Sequence, residues 1–182
     1  MDKRMREIKF RGKKVRGGEW VYGDLIHLTA PNGIEGCAII TNDKVEDVFP
    51  DNNLSKAVLE YTDEEVAVVL DNTVGQFTGL HDKNGKEIYE GDVLFVRELK
   101  NIAIEMFDHE EREELSLDDC KGELLHESKM VVYFEEGSMC AGDYYISSLW
   151  DKQDRRHQYP IFEVEIIGNI FDHTELINTM NE

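Results

Sequence analysis

The side chains that could do chemistry are scattered along this chain and form no catalytic pattern. The six histidines form no HxH or HExxH pair, and the three cysteines form no CxxC pair. The chain has no GxSxG elbow, no P-loop and no GxGxxG phosphate cradle. The usual signatures of a hydrolase, a structural zinc site and a nucleotide site are therefore absent, and we expect neither an enzyme nor a cofactor.

Two groups of carboxylates are the remaining chemical candidates. Asp82 and Asp92 could pair as acid and base across a hairpin, but Asp side chains in such positions more often bind turn backbone groups. His109 lies between Asp108 and Glu110 and could contact a divalent cation, although a charged loop needs no metal. We expect a structural role for both aspartates and no metal at His109.

The stretch 74–97 (VGQFTGLHDKNGKEIYEGDVLFVR) is expected to position these aspartates. Asn84-Gly85 predicts a hairpin with a type I′ turn, since both residues tolerate a positive φ. Gly79 and Gly91 bracket this hairpin and suit a bulge or a corner. The apolar run 93–96 then predicts a strand that is buried on both faces.

Charge is the strongest global feature. The net charge of −19 disfavours contact with phosphate backbones, so we do not expect direct binding to nucleic acid. Residues 1–20 nevertheless hold eight Lys or Arg against three acids, a balance of +5, which leaves −24 on the rest of the chain. A basic arm on an acidic body could bind nucleic acid, but an acidic neighbouring subunit is an equally physical partner.

Aromatic residues supply a second kind of contact candidate. Trp20, Tyr22, Phe77 and Tyr89 could line a ligand groove, but a small β core also needs such side chains, and core packing is the default. A further aromatic group lies near polar turns, where exposed aromatics often mark interfaces. The candidate interface residues are Arg11, Lys13, Lys14, Tyr144, Tyr145 and Trp150.

The elements expected around these residues are mainly strands. Gly17-Gly18 predicts a turn that joins strands at 7–10 and 20–26 into a hairpin, and a short C-terminal helix follows residue 172. We expect a β region with the basic arm at 1–72 and the hairpin, barrel region and helix at 73–182, or one continuous domain. Residues 98–128 are predicted to be an acidic, mobile excursion. No membrane span, secretion signal or disulfide framework is indicated, which favours a cytoplasmic protein with reduced thiols.

Three stretches resemble the YopX family of bacteriophage and prophage proteins. They are the run 74–94 (VGQFTGLHDKNGKEIYEGDVL), the start at 6–13 and 18–25, and the end at 165–172 (EIIGNIFD). The resemblance implies a mainly β fold of curled antiparallel sheets with an SH3-like barrel element, self-association, and a bacterial host cell as the setting. It implies no activity and no catalytic residues. The signature residues, expected to be structural, are Gly75, Thr78, Gly79, Asp82, Asn84, Gly85, Tyr89, Gly91, Asp92, Gly168 and Asn169.

Three functional hypotheses follow. The first, which we favour, is a non-enzymatic homo-oligomeric interaction protein whose basic arm lies on the acidic face of a neighbour. The second is an acidic mimic of DNA that occupies a host or anti-phage protein. The third is a small carboxylate- or metal-dependent enzyme.

Overall fold

The computed structural model describes residues 7–29, 33, 35–41, 66–102, 120–150 (for Trp150 the backbone only), 161–178 and 180. The chain divides into two compact units, Met1–Gly79 and Leu80–Glu182. His109 and most of the acidic run 103–119 lie outside the described residues.

The described chain is mainly β, as the sequence predicts. The strands are β1 Phe10–Lys13, β2 Trp20–Thr29, β3 Glu35–Ile40, β4 Val66–Val69, β5 Gly75–His81, β6 Glu87–Tyr89, β7 Asp92–Asn101, β8 Lys121–Glu135, β9 Ser138–Ala141, β10 Tyr144–Tyr145 and β11 Ile161–Asn169. A short helix, α1, spans Thr174–Asn178. One antiparallel sheet has the order β4-β3-β2-β1-β5-β6, and the other has the order β10-β9-β8-β7-β11.

In the first unit, β1 and β2 form a hairpin around Gly17-Gly18, as predicted, but β1 begins at Phe10, where the predicted strand 7–10 ends. Arg11 is paired with Tyr22 and Lys13 with Trp20. β1 also pairs with β5, so it is an interior strand of its own sheet. The basic residues from 10 to 13 are therefore not a detached arm, because their backbone is hydrogen-bonded on both sides.

The sheet of the first unit curls strongly, and two glycines permit the curl. A Cβ on Gly23 would lie 1.9 Å from the carbonyl oxygen of Ile40, and one on Gly12 would lie 2.9 Å from Cβ of Val69. An isolated bridge joins Lys14 to Val69 and brings the residues after β1 against β4. Both strand orders are nevertheless open, and no closed barrel forms among the described residues, so the expected SH3-like element is present only as this curl.

In the second unit, the core lies on one face of the five-stranded sheet. Eight apolar side chains form this core, and all are at least nine-tenths buried. They are Ile88, Leu94, Val96, Val132, Ala141, Ile146, Leu149 and Val164. The run 93–96 belongs to β7, which pairs with both β8 and β11. Three of its four residues are buried, as the sequence predicts.

Two sequence expectations about local structure are wrong. Residues 98–101 and 121–128 are not part of a mobile excursion but strand, the end of β7 and the beginning of β8. Their charged side chains pair across the sheet, as between Arg97 and Glu127, so a polar sequence here reflects a solvent-facing strand surface. The turn at Asn84-Gly85 is not type I′, since Gly85 has a φ of 82° but Asn84 has no positive φ.

Candidate protein-contact surface

The Asp82 side chain explains why the turn at Asn84-Gly85 is not the predicted type I′ turn. Its Oδ1 atom accepts the backbone N–H groups of Asn84 and Lys86 at 2.8 and 2.9 Å. Gly85 N donates to the Asp82 carbonyl oxygen at 3.0 Å, which is the bond of a type I turn followed by a left-handed glycine. The carboxylate thus holds residues 83 and 84 right-handed, and only Gly85 takes a positive φ.

The same loop covers the edge of the five-stranded sheet. β11 is an edge strand, paired with β7 alone. Lys83 N donates to the Val164 carbonyl oxygen at 2.9 Å, and Ile166 N donates to Oδ2 of Asp82 at 3.2 Å. Burial alone would raise the pKa of Asp82, but the hydrogen bonds from Lys86, Ile166 and Asn84 outweigh it and lower that pKa. The carboxylate is therefore a structural acceptor, ionised at neutral pH.

The two separated parts of the signature meet at one corner of the second unit. Ile170 N donates to the Gly91 carbonyl oxygen at 2.9 Å, and a Cβ on Gly91 would lie 2.8 Å from the ring of Phe171. Oδ1 of Asn169 accepts the N–H groups of Phe171 and Asp172 at 3.0 and 2.9 Å. Gly168 leaves room for Leu176, whose Cδ1 lies 2.7 Å from the position of a Cβ.

The other signature residues also have backbone or packing roles. Asp92 is 1% exposed and accepts the N–H of Tyr89 at 2.9 Å. Gly75 pairs with Arg11, Thr78 is buried, and Gly79 has a φ of 83°. Each aspartate of the hypothetical acid–base pair thus accepts backbone N–H donation, which is the structural role expected for both aspartates.

The thiol of Cys37 is not activated. Burial and the neighbouring Asp71 carboxylate raise the pKa of Cys37, whose N–H donates to Oδ1 of Asp71 at 2.9 Å. Cys120 and Cys140 are buried. A raised pKa keeps the thiol of Cys37 protonated, so it is a poor nucleophile.

The cationic interface candidates gather around Trp20 in the first unit. Cζ of Arg11 lies 4.8 Å from the ring centroid of Trp20, and Nζ of Lys13 lies 5.7 Å from it, both within the range of a cation–π contact. Arg11 is only 4% exposed, so it supports the ring from within more than it meets a partner. Lys13 and Lys14 are half-buried, and Tyr22, opposite Arg11, is 43% exposed.

Apolar side chains that the sequence reasoning missed extend this cluster. Leu70 N donates to the Lys13 carbonyl oxygen at 2.8 Å, and Val15 N donates to that of Val68 at 3.0 Å. Directly opposite residues of an antiparallel pair share a face, so Val15, Val68 and Leu70 lie on the face of Lys13. They are 54%, 42% and 43% exposed. No local sequence signal reveals this cluster, because it depends on pairing between segments about 55 residues apart.

We call this surface the Trp20 face. It consists of Arg11, Lys13, Val15, Trp20, Tyr22, Val68 and Leu70. By contrast, Phe77 and Tyr89 are 3% and 2% exposed, so they belong to the core and line no groove.

The aromatic candidates of the second unit do not form one patch. Tyr144 is paired with the core residue Ala141, and its ring centroid lies 6.0 Å from that of Phe162. Tyr145 is paired with Cys140 and is 65% exposed. Successive strand residues point to opposite faces, so the two tyrosines cannot meet the same flat partner. The Trp150 side chain lies outside the described residues.

The outer face of the five-stranded sheet carries alternating charges. Glu163, Arg97 and Glu127 lie in one register row, and Nε of Arg97 lies 2.9 Å from Oε1 of Glu127. Nζ of Lys121 lies 2.7 Å from Oε1 of Glu163. Acids on this face are therefore interleaved with bases, unlike the uniform row of acids that a mimic of DNA would present.

Two further kinds of site are not found in the part of the chain that the structure describes. Its His, Cys, Asp and Glu residues form no group of three or more that could hold a metal ion. Its single short α-helix and its 3-10 turns also fall short of the length and apolarity needed to cross a membrane.

Comparison with known proteins identifies a family and shows a likeness to a solved structure. Curated proteins yield no match. The chain is similar to the crystal structure of protein EF1440 from Enterococcus faecalis, with 18% identity, a TM-score of 0.43, and coverage of 95% of this chain and 99% of that one. The family model described as YopX protein matches residues 9–178, nearly the whole chain. This protein therefore belongs to the YopX family.

Proposed function

We propose that this protein is a non-enzymatic interaction protein that self-associates by placing its Trp20 face on an acidic surface of a second copy. The observation that carries the proposal is the composition of that face. It combines cationic side chains with exposed aliphatic and aromatic ones, on a chain whose residues after position 20 hold a net charge of −24. A second copy is thus an abundant source of acidic surface.

Exposed apolar side chains give this contact its driving force. Val15, Val68 and Leu70 are each about half exposed. Burying such surface is worth about 25 cal/mol per Å² removed from water. Exposed ion pairs add only about 0–1 kcal/mol each, but they steer association and select an acidic partner.

The proposed setting is supported by the family resemblance. We expect the protein to act in the cytoplasm of a bacterial cell that carries a phage or prophage. A host or phage protein with an acidic, apolar surface would bind the same face by the same chemistry. Neither a cofactor nor nucleic acid is needed for this function.

Solution mass measured by light scattering at low and high salt tests the proposal. We expect the wild-type chain to form an oligomer that weakens as salt rises from about 0.05 M to 1 M, where the Debye length falls to about 3 Å. The double variant Lys13→Glu/Arg16→Glu reverses the charge of Lys13 on the Trp20 face and that of Arg16, which is exposed in the turn three residues further along the chain. It should be monomeric at concentrations where the wild type is assembled.

Two controls accompany this test, one for the change in net charge and one for folding. Lys86 and Lys129 are exposed in the second unit, and Lys86→Glu/Lys129→Glu, which makes the same change of net charge, should leave the mass unchanged. Circular dichroism establishes that each variant is folded. A wild-type chain that is monomeric at every salt concentration would rule out self-association, and a double variant that assembles like the wild type would rule out this face.

A further inference from the structure

The tip of the β8–β9 hairpin is the most unusual exposed segment of the second unit. Phe134 is 53% exposed, and Glu135 and Glu136 beside it are exposed. We call these three residues the acidic tip. Glu135 is paired with Ser138, so Glu136 and Gly137 are the two central residues of a tight hairpin turn.

Glu136 has a backbone conformation that glutamate disfavours. Its φ is 49° and that of Gly137 is 84°, as a type I′ turn requires. Among the described residues, Glu136 is the one non-glycine residue with a positive φ. Asn or Gly would occupy this position with less strain, and strained positions of this kind cluster at functional sites. We therefore expect the negative charge of Glu136 to have a role that offsets this strain.

The acidic tip and the Trp20 face are complementary in both charge and polarity. The tip presents the exposed ring of Phe134 on one face of the hairpin, Glu135 on the opposite face, and Glu136 at the turn that follows them. The face presents Val15, Val68 and Leu70 around the cation Lys13, with Tyr22 at its margin. The phenyl ring can pack on the aliphatic side chains while the Glu136 carboxylate at the turn meets Lys13, and Glu135 adds negative charge near the contact.

We propose that the acidic tip of one copy docks on the Trp20 face of a second copy. The inference rests on the proposed self-association and names the surface that the Trp20 face would contact. The two surfaces differ, so the contact is heterologous, and repetition produces a ring or an open chain of copies. Each copy in such an assembly uses one tip and one face.

A heterologous contact predicts a result that a symmetric contact does not. The tip variant Glu135→Lys/Glu136→Lys keeps an intact face, and the face variant Lys13→Glu/Arg16→Glu keeps an intact tip. Each variant alone should be monomeric by sedimentation velocity at a concentration where the wild type is assembled. An equal mixture of the two should form a species of twice the monomer mass, because one intact tip can still meet one intact face.

A third variant keeps the test independent of misfolding. Glu136→Asn relieves the backbone strain but removes one charge, so we expect a higher melting temperature together with an association constant lowered at least threefold. The matched control for the tip variant is Glu123→Lys/Glu175→Lys, which makes the same charge change as Glu135→Lys/Glu136→Lys at two other exposed acids of the second unit, and it should assemble like the wild type.

The outcomes separate the two proposals. A tip variant that assembles like the wild type, while the face variant is monomeric, would overturn docking at the tip and leave the proposed function standing. Monomeric variants whose mixture also stays monomeric would overturn the heterologous contact. A wild-type chain that never assembles would overturn both.

Discussion

Replacing Asp82 with alanine should destabilise the second unit more than any other single loop substitution. The carboxylate is 7% exposed and accepts three backbone N–H groups, at 2.8, 2.9 and 3.2 Å. A hydrogen bond to a charged group contributes about 1.5–3 kcal/mol, and water can partly replace the two bonds in the exposed loop. We therefore expect Asp82→Ala to lower the free energy of unfolding by about 3–5 kcal/mol.

Asp82→Asn is the matched variant, because it keeps the shape and loses the charge. Its Oδ1 atom can still accept the N–H groups of Asn84 and Lys86, but its NH₂ group would face the N–H of Ile166, donor against donor. We expect a loss of about 2 kcal/mol. Urea denaturation followed by circular dichroism measures both values. An alanine variant within about 0.5 kcal/mol of the wild type would refute this assignment of the carboxylate.

The pH dependence gives an independent check on Asp82. Its folded pKa is lowered below the ordinary value of 3.8. A lowered folded pKa stabilises the protein above the unfolded pKa, and this stabilisation disappears as the pH falls through the folded pKa. The stability difference between the wild type and Asp82→Asn should thus be constant near neutral pH and shrink once the pH falls below 3.8.

Three further substitutions test packing and backbone strain, each by thermal or urea unfolding. Gly23→Ala places a Cβ 1.9 Å from the backbone oxygen of Ile40, which cannot move alone, so we expect a loss of at least about 3 kcal/mol or an unfolded first unit. Gly168→Ala meets Leu176 at 2.7 Å, a side chain that can shift, so about 1–3 kcal/mol is expected, and an unchanged stability would contradict the close packing. Glu136→Asn should raise stability by about 0.5–1 kcal/mol, because Asn tolerates a left-handed conformation better.

The elements that could be predicted from the sequence are those whose structure is decided by one local pattern of residues. The hairpin around Gly17-Gly18 and the buried strand at 93–96 follow from turn chemistry and apolar runs, and both are present. The turn at Asn84-Gly85 was assigned the wrong type, because the Asp82 side chain overrides the preference of the dipeptide. Local preference fails when a neighbouring side chain supplies hydrogen bonds that the preference does not count.

The candidate site was only partly predictable. Lys13 could be selected from charge alone, but whether it has apolar neighbours depends on the bridge between Lys14 and Val69. Arg11, selected on the same basis, is buried beneath Trp20. Charge patterning thus located the segment, while the curl of the sheet determines which side chains share its surface.

The late arrival of β11 has a consequence for synthesis of the chain. Val96 of β7 pairs with Ser128 of β8 and with Val164 of β11, and the second partner is 68 residues further along the chain. A ribosome adding roughly 5–20 residues per second needs roughly 3–14 s to cover that interval. During those seconds one edge of β7 has no partner strand. The loop that contains Asp82 has already been synthesised, but β11, the strand that it covers, has not. The nascent protein therefore keeps one open edge of β7, available for misassociation, until β11 has left the ribosome.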